Sequence, residues 1–231
     1  MKRIYFYLLA GIVFLTGCNQ SKNVHYDVNP DKVLGNHYTA EDFGLWLLLD
    51  YDDEQYVLTV DEAIGRLPEE KEIFWAKEKG FMVPASDTAE FMQALRMGEI
   101  PLTKEGCKLI PCWLPIVSVK DDIYLLTFCY GDVAGKPIID GTHVKKVSVE
   151  KSEFTGNYEV LMQFDMKTAD SWQKFTAENV GRRIGMMLGT DRLLSTPQIM
   201  CEIAGGACSI SGPTEEECYA IAKILQGEGS K

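Results

Sequence analysis

Apolar residues recur along this chain at different spacings, and each spacing predicts a different element. Ile4 to Leu15 is an almost unbroken apolar run behind Lys2 and Arg3. It is shorter than the roughly 20 residues a bilayer-crossing helix needs. Asn19 to Asn36 is polar, carries Pro30 and Gly35, and reads as a tether. From Tyr38 the pattern turns periodic. Leu45 to Leu49 and Tyr56 to Val60 are short apolar runs around the acidic turn Asp50 to Glu54. That pattern predicts a hairpin, with a helix through Trp46 as the alternative. Ser86 or Asp87 caps a helix carrying Phe91, Met92 and Leu95 that stops at Gly98. Lys108 to Val119 and Ile123 to Tyr130 read as strands joined at Lys120-Asp121-Asp122. Pro111 and Pro115 confine the first of these to an edge or a bulge.

The glycine-bearing break Gly131 to Gly135 separates this half from a more regular one. Val144, Val147 and Val149 mark one strand. Tyr158 to Asp165 alternates as a half-buried strand apart from Leu161. A helix follows, capped by Thr168 or Asp170, with Trp172, Phe175 and Thr176 on one face and Gly181 at its end. Arg183 to Leu188 predicts the next strand, and Gln198 to Ile203 with Ala207 to Ile210 a hairpin around Ala204-Gly205-Gly206. Thr214 and Glu217 have the spacing of a capping box, in which each side chain satisfies the other's open backbone donor at the helix start. Cys218, Ile221, Ala222 and Leu225 follow at helical spacing, and Gly227 stops that helix. The expected fold is α+β: an antiparallel sheet with two helices on one face, ferredoxin-like, preceded by a smaller α+β unit. The expected divisions are residues 1–17, 18–37, 38–130 and 131–231.

The amino terminus has the layout of a secretory signal, with a short positive region and an apolar core of about 7–15 residues. Leu15-Thr16-Gly17-Cys18 then resembles the bacterial lipobox. The resemblance implies cleavage after Gly17 and lipid on Cys18, making residues 18–37 a lipidated tether. No later segment is apolar enough to span a bilayer, so the lipid is the expected membrane attachment.

Composition narrows the partners. Hydrophobic residues make up 46% of the chain, with 10 Phe, 10 Tyr and 4 Trp, enough for a packed core. Loss of Lys2 and Arg3 with the signal takes the formal charge from −11 to −13. Such a surface repels phosphate backbones, so nucleic acid is not an expected partner. Besides Cys18 there are Cys107, Cys112, Cys129, Cys201, Cys208 and Cys218, and an exported chain meets a compartment where disulfides persist. If Ala204-Gly205 is the hairpin loop, Cys201 and Cys208 oppose each other and can bridge. If Gly205-Gly206 is the loop, Cys208 faces Ile203 instead. Cys107 and Cys112 are a second candidate pair. Cys129 and Cys218 read equally well as buried thiols acting as small hydrophobes.

Residues from about Lys136 to Gln226 resemble the head of the first periplasmic domain of the SecDF protein-export translocase. The resemblance rests on motifs in order: Asp140-Gly141, Thr176-x-x-Asn179-x-Gly181, Ile184 to Leu188, Ser195-Thr196-Pro197-Gln198-Ile199, then Gly206, Ile210-Ser211-Gly212 and Thr214 to Glu217. Two departures stand out. Gly189-Thr190-Asp191 occupies a turn where the family has Asp-Gly, and Cys218 sits where alanine is usual. The translocase's membrane helices, with the charged groups that couple export to proton flow, have no counterpart here. The resemblance therefore implies the head's role alone, contact with polypeptide emerging outside the membrane.

Catalytic chemistry finds little support. Nucleophile, base and orienter must lie within hydrogen-bond reach. The three histidines are His25, His37 and His143, and a Cys112–His143 pair has no catalytic signature around it. Gly-x-Ser-x-Gly and phosphate-cradling glycine loops are absent. Cys107-x4-Cys112 lacks a second pair at zinc spacing, and Asp50, Asp52, Asp53 and Glu54 lack the glycine-centred calcium pattern. No catalytic residue, metal ligand or cofactor is expected, and no ligand-binding residue is assigned. The expected function is that of a non-enzymatic, lipid-anchored module of the bacterial envelope, facing its extracytoplasmic side. Its partners are the membrane through the lipid and unfolded or exported polypeptide. The alternatives are a docking protein of an envelope complex or an enzyme of unrecognised type.

Overall fold

The computed structural model describes residues 28–69, 71, 73–76, 80–117, 122–130 and 135–227, so the signal segment and Cys18 lie outside the described residues. The first half runs through helix α1 (Pro30–Leu34), strand β1 (Phe43–Leu48), helix α2 (Glu54–Ile64), strands β2 (Phe74–Ala76) and β3 (Gly80–Pro84) and helix α3 (Thr88–Arg96). Strands β4 (Thr103–Lys104), β5 (Cys107–Lys108), β6 (Ile110–Val117) and β7 (Asp122–Tyr130) complete it. The second half holds β8 (Ile139–Asp140), β9 (Val144–Lys151), β10 (Tyr158–Phe164), helix α4 (Met166–Glu178), β11 (Ile184–Leu188), β12 (Arg192–Ser195), β13 (Ala207–Ser211) and helix α5 (Glu215–Leu225). The fold class is α+β.

Strand β1 is buried at every position, which requires cover on both faces. It pairs with β11 on one side and β7 on the other, and β7, β6, β12 and β11 continue the ladder back to it. Five strands thus close into a barrel, with β8 beside β1 and β3 and β2 extending from β7. Trp46 and Leu48 of β1 fill its interior together with Cys112, Cys129, Met187 and Leu193. Phe43, Leu45 and Leu47 point outward, toward the cores beneath the helices. The interior is full: a Cβ on Gly185 would meet Leu48 Cδ2 at 2.7 Å and Leu193 Cδ2 at 2.9 Å.

The prolines of β6 lie on the seam of this barrel. Trp113 N–H donates to Asp191 O at 2.7 Å, and β6 meets β12 only at Trp113 and Arg192. Pro111 and Pro115 flank Trp113 at a spacing of two, so their missing N–H groups face that seam. The other edge of β6 pairs with β7 along its whole length.

The expected hairpin of Leu45–Leu49 with Tyr56–Val60 is corrected: the second run is helix α2. Asp53 caps it, accepting from Gln55 N–H at 3.0 Å, and Tyr56, Thr59, Val60 and Ala63 form its buried stripe. The Tyr56 hydroxyl donates to Leu126 O and accepts from Phe81 N–H, each at 3.0 Å, tying the helix to two strands. Glu62 accepts from the N–H groups of Glu99 at 2.7 Å and Ile100 at 3.1 Å. These donors, with Arg66, pull its carboxyl down to about 2 and fasten the loop after α3.

The carboxyl-terminal half does not form a ferredoxin-like sheet of its own. Only β13, β10 and β9 make its separate antiparallel sheet, while β8, β11 and β12 join β1, β6 and β7 across the expected 130/131 division. The physical reason lies in β11, buried at all five positions: one layer of helices covers only one face of a strand. The hairpin around Ala204-Gly205-Gly206 is also absent. Ala207–Ser211 pairs with β10, and Gln198 makes a single bridge to Arg183.

Helix α5 has its capping box, Thr214 with Glu217, and is buried at Cys218, Ala220, Ile221, Ala222, Ile224 and Leu225. That exceeds one stripe because α5 touches β9, β10 and α1. Helix α4 is capped by Asp165, which accepts from Thr168 N–H at 2.9 Å, one turn earlier than Thr168 or Asp170. Trp172 on α4 is 1% exposed, donates to Ala207 O at 3.2 Å and meets Phe164 edge-on at 5.8 Å. The expected tether ends early, since Leu34 of α1 is buried in the core and Lys223 Nζ donates to Val28 O at 2.8 Å.

Candidate functional site

The three-stranded sheet shows two unlike faces. On β10 the period of two sends Val160, Met162 and Phe164 into the core and Glu159, Leu161 and Gln163 outward. Strand register then aligns outward rows of Glu150, Glu159 and Ser211; Ser148, Leu161 and Ser209; and Lys146, Gln163 and Ala207. Leu161 is the one large apolar side chain in these rows. The outer face is therefore a mainly polar surface, not an apolar platform.

The edge is better suited to contact. Among the described residues β9 pairs with β10 alone, which leaves a row of backbone groups on its other side. Lys145, Lys146 and Lys151 are exposed along it, a basic run in a chain of formal charge −11. Lysines on an edge discourage pairing between copies of a sheet. Beyond β9 the turn toward β10 carries Phe154, 99% exposed. Behind this turn Lys151 Nζ sits 5.7 Å from the Tyr158 ring centroid, and a hydrogen bond from the Tyr158 hydroxyl to Glu215 raises the phenol pKa.

At the opposite end of the sheet a groove of about 260 Å³ is lined by Ile138, His143, Asp165, Lys167, Thr168 and Ser171, among others. His143 Nδ1 lies 3.2 Å from Asp165 Oδ2. The same carboxylate accepts from Thr168 N–H at 2.9 Å and Thr168 Oγ1 at 3.0 Å. The Thr168 backbone donor is the main reason its pKa is lowered. Ser171 Oγ is turned toward Lys167 O at 3.5 Å, so among the described residues lining this groove none is held as a nucleophile against His143. Among the described residues no group of three His, Cys, Asp or Glu side chains is placed to hold a metal.

The cysteine pairings read from the sequence are not assembled. Cys201 is exposed before a 3-10 turn at Ala204–Gly206. Cys208 lies opposite Met162 on β13, its thiol pushed up to about 12 by burial. Cys107 packs on the outer core and Cys112 inside the barrel, so the barrel wall stands between them. The sequence reading missed the His143–Asp165 pair, the exposed Phe154 and the approach of Cys129 to Cys112. The alternation of β9 and β10 carries a signal for the first, once their register is known.

Residues 131–229 match the family model of the SecDF P1 head subdomain. Protein translocase subunit SecD of Acidaminococcus fermentans is 30% identical over 103 residues, covering 44% of this chain and 24% of that protein. The SecD subunit of Calditerrivibrio nitroreducens is 34% identical over 91 residues, covering 38% of this chain and 17% of that protein. The matches thus span about a quarter or less of these relatives. A solved structure of SecDF, described as a membrane component that enhances protein export, aligns over 80% of this chain and 93% of its own. Its identity is 16% and its TM-score 0.38.

Proposed function

We propose that this chain, whose residues 131–229 match the SecDF P1 head subdomain, is a non-enzymatic accessory of protein export on the extracytoplasmic side of the bacterial envelope. It is held to the membrane by lipid on Cys18 and contacts unfolded or exported polypeptide. The head match carries this reading. The open edge of β9 supports it, because backbone hydrogen bonds at a sheet edge hold extended chains of many sequences. The polar outer face favours this edge over the face of the sheet as the contact. The test is a titration of a fluorescently labelled, permanently unfolded chain with the mature protein lacking its lipid. Weak, saturable binding shared by several unrelated chains is expected. Phe154 favours a second reading, docking on a folded envelope partner through an apolar anchor at the hairpin tip. No binding at high protein concentration, together with a co-purifying folded partner lost in Phe154→Ser, would establish that reading in its place.

A further inference from the structure

Inside the barrel, two thiols meet. Cys112 on β6 and Cys129 on β7 are each fully buried, and their Sγ atoms lie 2.9 Å apart. Cys112 is opposite Thr127 and Cys129 opposite Ile110, so the two cysteines are diagonal neighbours on adjacent antiparallel strands. Such diagonals ordinarily span about 7–8 Å between Cα atoms. Strand twist shortens one of the two diagonals, and both side chains point into the same narrow interior. Bond formation needs only the last closure, to about 2.05 Å. Burial and the neighbouring Cys129 sulfur raise the pKa of Cys112, so in the folded barrel it stays a thiol.

We propose that Cys112 and Cys129 are a disulfide site that staples β6 to β7 from inside the barrel. The pairing follows from the barrel and not from the functional reading above. The chemistry is exchange with a small disulfide such as oxidised glutathione. One protein thiolate attacks a glutathione sulfur, forms a mixed disulfide and expels one glutathione thiolate. The second protein thiolate attacks the mixed disulfide, closes the protein bond and expels the other glutathione. Two protein thiols are oxidised, one glutathione disulfide is reduced to two glutathiones, and the two thiol protons end on those products. Because both sulfurs are sealed from solvent, exchange precedes barrel closure, and the folded dithiol is protected from the oxidant.

The full chain, reduced and unfolded in denaturant, is refolded in a buffer of oxidised and reduced glutathione. It is then unfolded without reductant, alkylated, digested and mapped. The expected result is a cross-linked peptide joining Cys112 to Cys129. The same oxidant added to already folded, reduced protein should give that bond only at the rate of unfolding. The oxidised protein should also melt at a higher temperature than the reduced one. Alkyl groups on both Cys112 and Cys129 after refolding, or either residue bonded to another cysteine such as Cys107, overturns the proposal. A bonded protein that melts no higher than the reduced one overturns its role as a staple.

Discussion

Trp172 is the side chain on which the core shared by α4, α5 and β10 can be tested most directly. Trp172→Ala removes an indole that is 1% exposed, edge-on to Phe164 at 5.8 Å and stacked on Phe175 at 6.0 Å. Truncations of this kind cost about 3–5 kcal/mol. The upper part of that range is expected, because the change also removes the donor to the part-buried Ala207 O. For a chain of this length about 4 kcal/mol lowers the melting midpoint by roughly 8–16 °C. Trp172→Phe keeps an aromatic ring beside Phe164 and loses only the N–H bond and part of the volume, so its loss should be less than half as large. Urea titrations of the three proteins by far-UV circular dichroism measure this. The midpoint should fall while the slope stays constant. A Trp172→Ala loss below about 1 kcal/mol, far short of the core-truncation range, would refute the buried assignment. So would a Trp172→Phe protein no more stable than the alanine variant.

Two further outcomes are expected. Glu62 has a carboxyl pKa lowered to about 2 by the Glu99 and Ile100 backbone donors and Arg66, so its contribution is complete above its ordinary pKa of about 4.3. That contribution is lost as pH falls toward 2. Glu62→Gln should therefore melt lower near neutrality and show a flatter decline in midpoint across the acid range; parallel declines in the two proteins would contradict this. Cys18→Ser should abolish fatty-acid labelling in cells and accumulate unprocessed precursor, and labelling that persists in the variant rules out Cys18 as the lipid site.

How far the fold was legible depended on what covers each element. Helix α5 was readable because Thr214 and Glu217 mark its start and its main stripe is regular, although Ala220 and Ile224 are buried as well. β9 and β10 were readable because one face of each meets solvent. β1 and β11 have no such face, so their runs carry no alternation, and β1 was paired with the wrong neighbour. Arg192–Ser195 was missed because four residues carry too little pattern, yet β12 is one stave of the barrel. The candidate site was not assigned to any residue from the sequence. The sequence indicated an open sheet, whereas the polarity of its outer face depends on the register that sets Ser148 and Ser209 beside Leu161. Cys112 and Cys129 were inseparable from the other thiols for the same reason: a shift of one residue between β6 and β7 would put one of them outside the barrel.

The closure of the barrel sets an order on the chain's maturation. Phe43 is paired with Leu188, and Leu48 with Cys129. A polypeptide emerging amino terminus first therefore presents Phe43–Leu48, one of its most apolar strands, with no mate until β7 and then β11 have followed. Contacts so distant along the sequence also form slowly, because the chain between them must first be gathered. Residues up to 130 contain β1, β6 and β7, and residues from 131 contain β11 and β12, so each piece alone is a barrel with a gap. The family match begins at residue 131, between strands that close the same barrel. The amino-terminal half is accordingly a completing partner of the carboxyl-terminal half, without which β11 and β12 would lie open to water.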